Sequence, residues 1–187
     1  MPLYKAAPSP IHSVDDEAKL ISAAQRDPAE FTVLYDRYFR PIYQYLYSRV
    51  GSVPEAEDLT TQTFLAALEA LPHYHHRGYF SAWLFTIARN KARDHYRHKP
   101  PEPLDESHPD QAEDPLAQVI HSDQIEQLAC LVSSLTEEEQ ELIRLRCAAC
   151  LSFAEIGASL GRKEDTVKKT FYRLAAHLQR QLEVKHD

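Results

Sequence analysis

Glycine is scarce. The 187-residue chain has only four, Gly51, Gly78, Gly157 and Gly161. An all-β fold needs glycine at its many tight turns, and a phosphate-cradling loop needs several in one short string. Neither fits this chain, and no GxGxxG, GxxxxGK[ST] or GxSxG string occurs. The common nucleotide-binding and hydrolase motifs are therefore absent. Cysteine is sparse too: Cys130, Cys147 and Cys150 are too few and too clustered for a disulfide framework. No run approaches the roughly 18 consecutive apolar residues of a membrane-spanning helix, and Met1 to His12 lacks the apolar segment of a secretory signal. A reduced, cytoplasmic protein without membrane insertion is expected.

Proline and charge carry more information. There are 28 acids against 21 bases, a formal net charge of −7. Such a balance argues against non-specific nucleic-acid binding, but local patches matter more than the total. Residues 77–99 hold Arg77, Arg89, Lys91, Arg93, Arg97 and Lys99 against Asp94 alone. Residues 162–180 hold Arg162, Lys163, Lys168, Lys169, Arg173 and Arg180 against Glu164 and Asp165. Between the patches lie Glu102, Asp105, Glu106, Asp110, Glu113 and Asp114 with no base among them, and prolines at 100, 101, 103, 109 and 115. Such a stretch reads as an extended, self-repelling linker. The expected organisation is two small domains, 1–99 and 116–187, tethered by residues 100–115.

Both flanks read as helical, giving an all-α chain. Asp27-Pro28-Ala29-Glu30, Ser52-Val53-Pro54-Glu55, Thr136-Glu137-Glu138-Glu139 and Ser152-Phe153-Ala154-Glu155 have the spacing of capping boxes. Apolar residues at 31, 34, 35, 38, 42, 46 and 50 form a helical stripe, with a kink expected at Pro41. A short helix is expected near 15–26, another from the Ser52 cap to Leu71, and another over 80–98 that buries Phe80, Trp83, Leu84, Ile87 and Ala88. Arg89, Arg93 and Arg97 lie four apart, so they share one exposed face. Beyond the linker, helices are expected near 116–132, 136–149, 152–160 and 163–184. The last two, joined through Gly161, have the plan of a helix-turn-helix. Val167, Phe171, Leu174, Leu178 and Leu182 line the inner face of the second, and its first turns expose groups that can reach bases and phosphates.

At this point the residues resemble a family. The strings Glu55-Ala56-Glu57-Asp58-Leu59-Thr60-Thr61-Gln62-Thr63-Phe64, Ala82-Trp83-Leu84-Phe85-Thr86-Ile87-Ala88-Arg89-Asn90 and Asp94-His95-Tyr96-Arg97 resemble region 2 of bacterial RNA polymerase sigma factors. Leu135-Thr136-Glu137-Glu138, Phe153-Ala154-Glu155-Ile156-Gly157 and Thr166-Val167-Lys168 resemble region 4. The short spacing between the regions is similar to that of the extracytoplasmic-function (ECF) group.

The resemblance implies a non-catalytic subunit that binds core RNA polymerase, recognises a two-part promoter and helps melt it, with no cofactor. It implies that Asp58, Leu59, Gln62, Phe64 and Leu65 dock on the polymerase, although Leu59, Phe64 and Leu65 equally suit a local core. It implies that Arg89, Asn90, Arg93 and Arg97, with His75, His76 and Arg77 of the preceding loop, meet the −10 element; Trp83 is assigned to the core. It implies that Arg162, Lys163, Thr166, Lys168, Lys169 and Arg173 meet the −35 element. Two departures stand out: Lys169-Thr170 replaces the family's frequent Ser-Arg, and Glu164-Asp165 places two acids at the start of the reading helix. Promoter DNA and core polymerase are the expected partners, an anti-sigma protein is a further candidate, and a free monomer without a fused regulatory domain is expected. The acidic linker is a candidate nucleic-acid mimic along the polymerase.

Other readings compete. A helix-turn-helix regulator working without polymerase would need neither the Asp58–Gln62–Phe64 helix nor the Arg89–Asn90 string. A metal enzyme would draw on His73, His75, His76 and the Cys147-Ala148-Ala149-Cys150 pair. A zinc site needs four ligands, and Cys130 is the only other cysteine. Partly buried core cysteines are favoured over a redox pair, and no metal site is assigned.

Overall fold

The computed structural model describes residues 14–76, 78–98 and 127–184, and every regular element among them is helical. Helix α1 (Val14–Arg26) leads through a 3-10 turn at Pro28–Glu30 into α2 (Phe31–Val50) and α3 (Val53–Ala70). A second such turn at Leu71–His73 precedes α4 (Phe80–His98). In the second half, residues 127–133 belong to α5. Then α6 (Glu137–Ile143) runs on into a π-helical turn at Arg144–Ala148, followed by α7 (Phe153–Leu160) and α8 (Glu164–Val184). The expected linker, 100–115, lies outside the described residues.

Two of the four expected capping boxes form. Thr136 Oγ1 accepts from the Glu139 amide and the Glu139 carboxylate accepts from the Thr136 amide; Ser152 and Glu155 do the same for α7. The other two do not close. Asp27 accepts from the Ala29 amide at 3.0 Å, but no bond returns from Glu30. Ser52 makes no side-chain cap. Its usual donors are the amides of the second and third helical residues, and the second is Pro54, which has none.

Helix α2 is continuous through Pro41 and buries Phe31, Leu34, Tyr38, Ile42, Tyr45 and Leu46. Its apolar surface is wider than the predicted stripe. Tyr45 is fully buried, while Tyr35, assigned to the stripe, is 38% exposed and stacks on Phe39 at 5.3 Å. Phe80, Leu84, Phe85, Ala88 and Ala92 of α4 complete the floor, with Trp83 and Ile87 packed partly buried against it.

The two halves pack on each other. One continuous core joins Tyr45, Leu46 and Phe85 of the first half to Leu142, Leu145, Leu151, Ile156 and Val167 of the second. Helix α4 packs on α7, and α2 packs on the π-helical turn. The reason is size. A domain of about 60 residues buries only about 60% of its unfolded surface. Fully burying a leucine or isoleucine contributes about 1.5–3 kcal/mol. Leu145 and Ile156, 1% and 0% exposed, obtain that burial against the first half.

The helix-turn-helix depends on Gly157. A Cβ there would stand 2.7 Å from the backbone oxygen of Arg162, the same turn in which the Arg162 amide donates to the Gly157 carbonyl at 2.8 Å. Gly157→Ala therefore forces α7 from the turn and is expected to cost about 1–3 kcal/mol, read as a lower melting temperature of the full chain. An unchanged or higher melting temperature would show that the turn relaxes freely.

Candidate nucleic-acid and partner interfaces

Helix α3 turns Ala56, Leu59, Thr60, Thr63, Phe64 and Ala67 inward. Leu59 is 2% exposed, and Phe64 is wedged against Phe31 and Tyr35. Two of the five residues expected to dock, Leu59 and Phe64, are therefore core residues here, because helical periodicity places them on the inner face. Asp58 and Leu65 point outward, with Gln62 half-buried beside them. Gln62 Nε2 donates to Asp58 Oδ2 at 2.6 Å, which fixes the carboxylate one turn below Gln62. The exposed face thus presents an oriented carboxylate, an amide and the 56%-exposed Leu65.

Arg93, Arg97 and Asn90 are exposed on α4, and Arg89 is half-buried. Arg97 lies 3.8 Å from Asp94; Arg89 and Arg93 have no ion pair among the described residues. The loop before α4 is anchored from α1, where Gln25 Nε2 donates to the carbonyls of Leu71 and Tyr74 at 2.9 and 2.8 Å. Tyr74 packs on Trp83 at 4.4 Å and on Phe80 at 5.6 Å, so Trp83 belongs to the aromatic support of the loop. Burial pushes the Tyr74 phenol up to about 12, with Glu17 adding to the shift. The Tyr74 hydroxyl is 3.2 Å from His76 Nδ1, and His76 Nε2 is buried with no hydrogen-bond partner among the described residues. His75 is exposed. Arg77 lies outside the described residues.

In the helix-turn-helix, Val167 and Leu174 are buried and Phe171 meets Phe153 at 5.6 Å. That fixes the outer face of α8. Lys163, Thr166, Lys168, Lys169 and Arg173 are all exposed along it. Arg162 is exposed too, but it is engaged: its Nη2 donates to Glu138 at 2.6 Å. Glu164 and Asp165 occupy the first turn, where the helix dipole favours them.

The junction between the halves is built by pairings that no sequence pattern singled out. Glu141, 6% exposed, accepts from the Tyr45 hydroxyl at 2.7 Å and from Arg49 at 2.6 Å. Arg49 also reaches Glu137 at 3.3 Å. Glu155 accepts from the Ser81 hydroxyl at 2.7 Å. A cleft of about 340 Å³ beside this junction is lined by Arg49, Arg89, Arg93, Glu137, Glu138, Glu141, Leu160 and Arg162. Elsewhere, Cys130 and Cys147 are exposed and Cys150 is half-buried, so they are less buried than core cysteines. Burial still pushes the Cys147 thiol up. No group of three His, Cys, Asp or Glu side chains converges among the described residues. No helix among them is long and apolar enough to cross a membrane.

Residues 34–100 match Sigma-70 region 2, and residues 125–178 match Sigma-70, region 4. The ECF RNA polymerase sigma factor BldN of Streptomyces coelicolor is 36% identical over 173 residues, covering 88% of this chain and 65% of BldN. The ECF RNA polymerase sigma factor SigD of Mycobacterium tuberculosis is 31% identical, covering 74% of this chain and 71% of SigD. The chain belongs to the ECF sigma factors. This sigma factor also shares its fold with CnrH, solved in complex with the cytosolic domain of CnrY: TM-score 0.65 at 25% identity, over 89% of this chain and 96% of CnrH. The sigma factor RpoE of Bartonella quintana, solved with the anti-sigma factor NepR, has a TM-score of 0.59 at 24% identity, over 83% of this chain and 98% of RpoE. The family membership makes this a promoter-recognising sigma factor, and the main reading stands over the stand-alone regulator.

The buried phenols give this sigma factor a pH signature. Burial is the first cause at Tyr38, Tyr45 and Tyr74. Glu17 adds to it at Tyr38 and Tyr74, and Glu141 at Tyr45. All three are held above the ordinary value near 10. A raised phenol stabilises the fold fully below the unfolded value and loses that contribution as pH rises through the folded value. Stability is therefore expected to fall from about pH 10 upward. In an ultraviolet titration, at least three of the ten tyrosines are expected to stay protonated at about pH 11 until the helices melt. All ten ionising below that pH with helicity intact would contradict the assigned burial.

Proposed function

We propose that this sigma factor divides its work among three faces. Asp58, Gln62 and Leu65 of α3 dock on a helical element of core RNA polymerase. Arg89, Asn90, Arg93 and Arg97, with His75, His76 and Arg77 of the loop, hold the −10 element as it opens. Lys163, Thr166, Lys168, Lys169 and Arg173, joined by Arg162 once it leaves Glu138, read the −35 element. Domain 1–99 carries the first two tasks and domain 116–187 the third, with 100–115 between them. The subunit performs no chemistry of its own, needs no cofactor and acts in the cytoplasm. Relatives solved with CnrY and with NepR support an anti-sigma partner here too.

The observation that carries the reading is the conjunction on one chain of two exposed cationic helix faces and one oriented Asp–Gln–Leu face, each backed by a buried core. A melted strand needs cations for its phosphates and a flat or hydrogen-bonding surface for an unstacked base. The α4 arginines supply the first. The loop before α4, with the exposed His75 and the half-buried His76 ring, supplies the second.

Binding to purified core RNA polymerase tests the docking face. Asp58→Ala removes a carboxylate set by Gln62 and is expected to weaken binding about tenfold while leaving thermal stability unchanged. A folded protein that shows no binding in either form would leave a stand-alone DNA reader. Promoter DNA tests the cationic faces. Arg93→Ala and Lys169→Ala are each expected to weaken holoenzyme binding across sequences and to lower the salt slope by about 1. An unchanged slope in both would place the phosphate contacts elsewhere.

A further inference from the structure

We infer that the chain carries a site for a small ligand with two or more linked phosphoryl groups, in an arginine-lined cleft between the C-terminal end of α4 and the start of the π-helical turn. The inference goes beyond the promoter reading. Its occupant is a small molecule, and its test needs neither polymerase nor promoter.

Charge is the first argument. A cleft of about 380 Å³ is lined by four arginines, Arg49, Arg93, Arg97 and Arg144, against one acid, Glu137. It shares Arg49, Arg93 and Glu137 with the cleft described above. The arginines come from α2, α4 and the π-helical turn, so the cluster is not the solvated face of one helix. Like charges gathered in one cleft focus their field on an anion. Their present partners offset only part of the charge. Arg49 meets Glu141 at 2.6 Å and Glu137 at 3.3 Å, and Arg97 lies 3.8 Å from Asp94. Arg144 donates to the Ser48 carbonyl and to the Gln140 amide oxygen, both uncharged. Neither Arg93 nor Arg144 has an ion pair among the described residues.

Arg49 is the second argument. Its side chain is 10% exposed. Both of its Nη groups are engaged, yet its Nε is buried with no hydrogen-bond partner among the described residues. A buried donor without an acceptor is costly, and an anion in the cleft that Arg49 lines brings oxygens to it.

Size is the third argument. Clefts that enclose small ligands run from about 300 Å³ upward, and this one falls in that range. A cube of the cleft's volume has edges of about 7 Å, whereas the major groove of a duplex is by itself about 12 Å wide. The cleft therefore suits a small molecule and not a duplex. Guanidinium takes phosphate in bidentate fashion, and the four forks here outnumber what one phosphate can fill. Linked phosphoryl groups match them. Tyr96, 47% exposed, also lines the cleft and offers a ring on which a base can stack. A free oligophosphate and a nucleoside polyphosphate share the chemistry required.

The test is calorimetric titration of the full chain with tripolyphosphate, ATP and orthophosphate. One tripolyphosphate or one ATP is expected per chain, with orthophosphate at least about tenfold weaker. Equal affinity for the first two makes the occupant a free oligophosphate; tighter ATP binding makes it a nucleotide. Arg144→Gln and Arg97→Gln, one from each half, are each expected to weaken tripolyphosphate binding about tenfold. Glu137→Gln removes the acid of the lining and is expected to tighten binding about threefold, a gain that misfolding cannot produce. Arg26→Gln removes the same charge from α1, away from the cleft, and is expected to leave binding as in the wild type. No binding at about 1 mM probe overturns the proposal. So does orthophosphate binding as tightly as tripolyphosphate, or Arg26→Gln weakening binding as much as Arg144→Gln. Should Arg144→Gln fail to fold, Arg97→Gln and Glu137→Gln, whose wild-type side chains are 74% and 82% exposed, decide; no change in either overturns it.

Discussion

A carboxylate shut away from water must find cations and donors or give up its charge. Glu141 finds both on one helix, Arg49 and Tyr45 of α2, more than 90 residues earlier in the chain. That requirement sets the rest. It ties α6 to α2 through Glu141, accompanies the packing of the π-helical turn against α2, and lets Tyr45 be fully buried because its hydroxyl has an acceptor. Glu155 works in the same way at shorter range. One of its oxygens closes the cap of α7 through Ser152, and the other accepts from Ser81 of α4. A local signal for starting a helix thereby also positions that helix against the other half of the molecule.

The faces proposed for DNA follow from this frame. The α4 arginines are presented because Phe80, Leu84, Phe85 and Ala88 are pinned beneath them. The basic face of α8 is presented because Val167 and Leu174 point the other way, and because Gly157 lets α7 approach the turn closely. The side of α3 proposed to dock on polymerase is the outer face of a helix whose Leu59 and Phe64 are core. In each case the functional side chains are what remains outside once the apolar ones have been buried.

Local signals were legible in the sequence. The caps at Thr136 and Ser152, the helix-turn-helix around Gly161 and the Arg ridge all rest on spacings within a few residues, and the structure keeps them. Failures arose where another physical effect outweighed the local pattern. Ser52 makes no side-chain cap, and the proline two residues on leaves it one usual donor fewer. Tyr35 and Tyr45 trade places because α2 is aromatic on more than one side, and only its neighbours decide which side is covered. Leu59 and Phe64 bear family motif positions, and the helical period turns both into the local core that the sequence had equally allowed. Nothing local announced the junction: Arg49, Glu141 and Ser81 carried no signal, Glu155 was legible only as a cap, and their pairing is a property of the folded chain alone. The resemblance to sigma factors supplied the function, and the residues by themselves supplied little beyond a helical DNA reader.

The claim on which all this depends is that Glu141 and Arg49 form a buried, energetically coupled link between the halves. A double-mutant cycle on the full chain, with Arg49→Ala, Glu141→Ala and both together followed by equilibrium unfolding, measures it directly. The account predicts a coupling of at least about 1.5 kcal/mol, with the double variant less destabilised than the two singles combined. Additivity to within about 0.5 kcal/mol would contradict it.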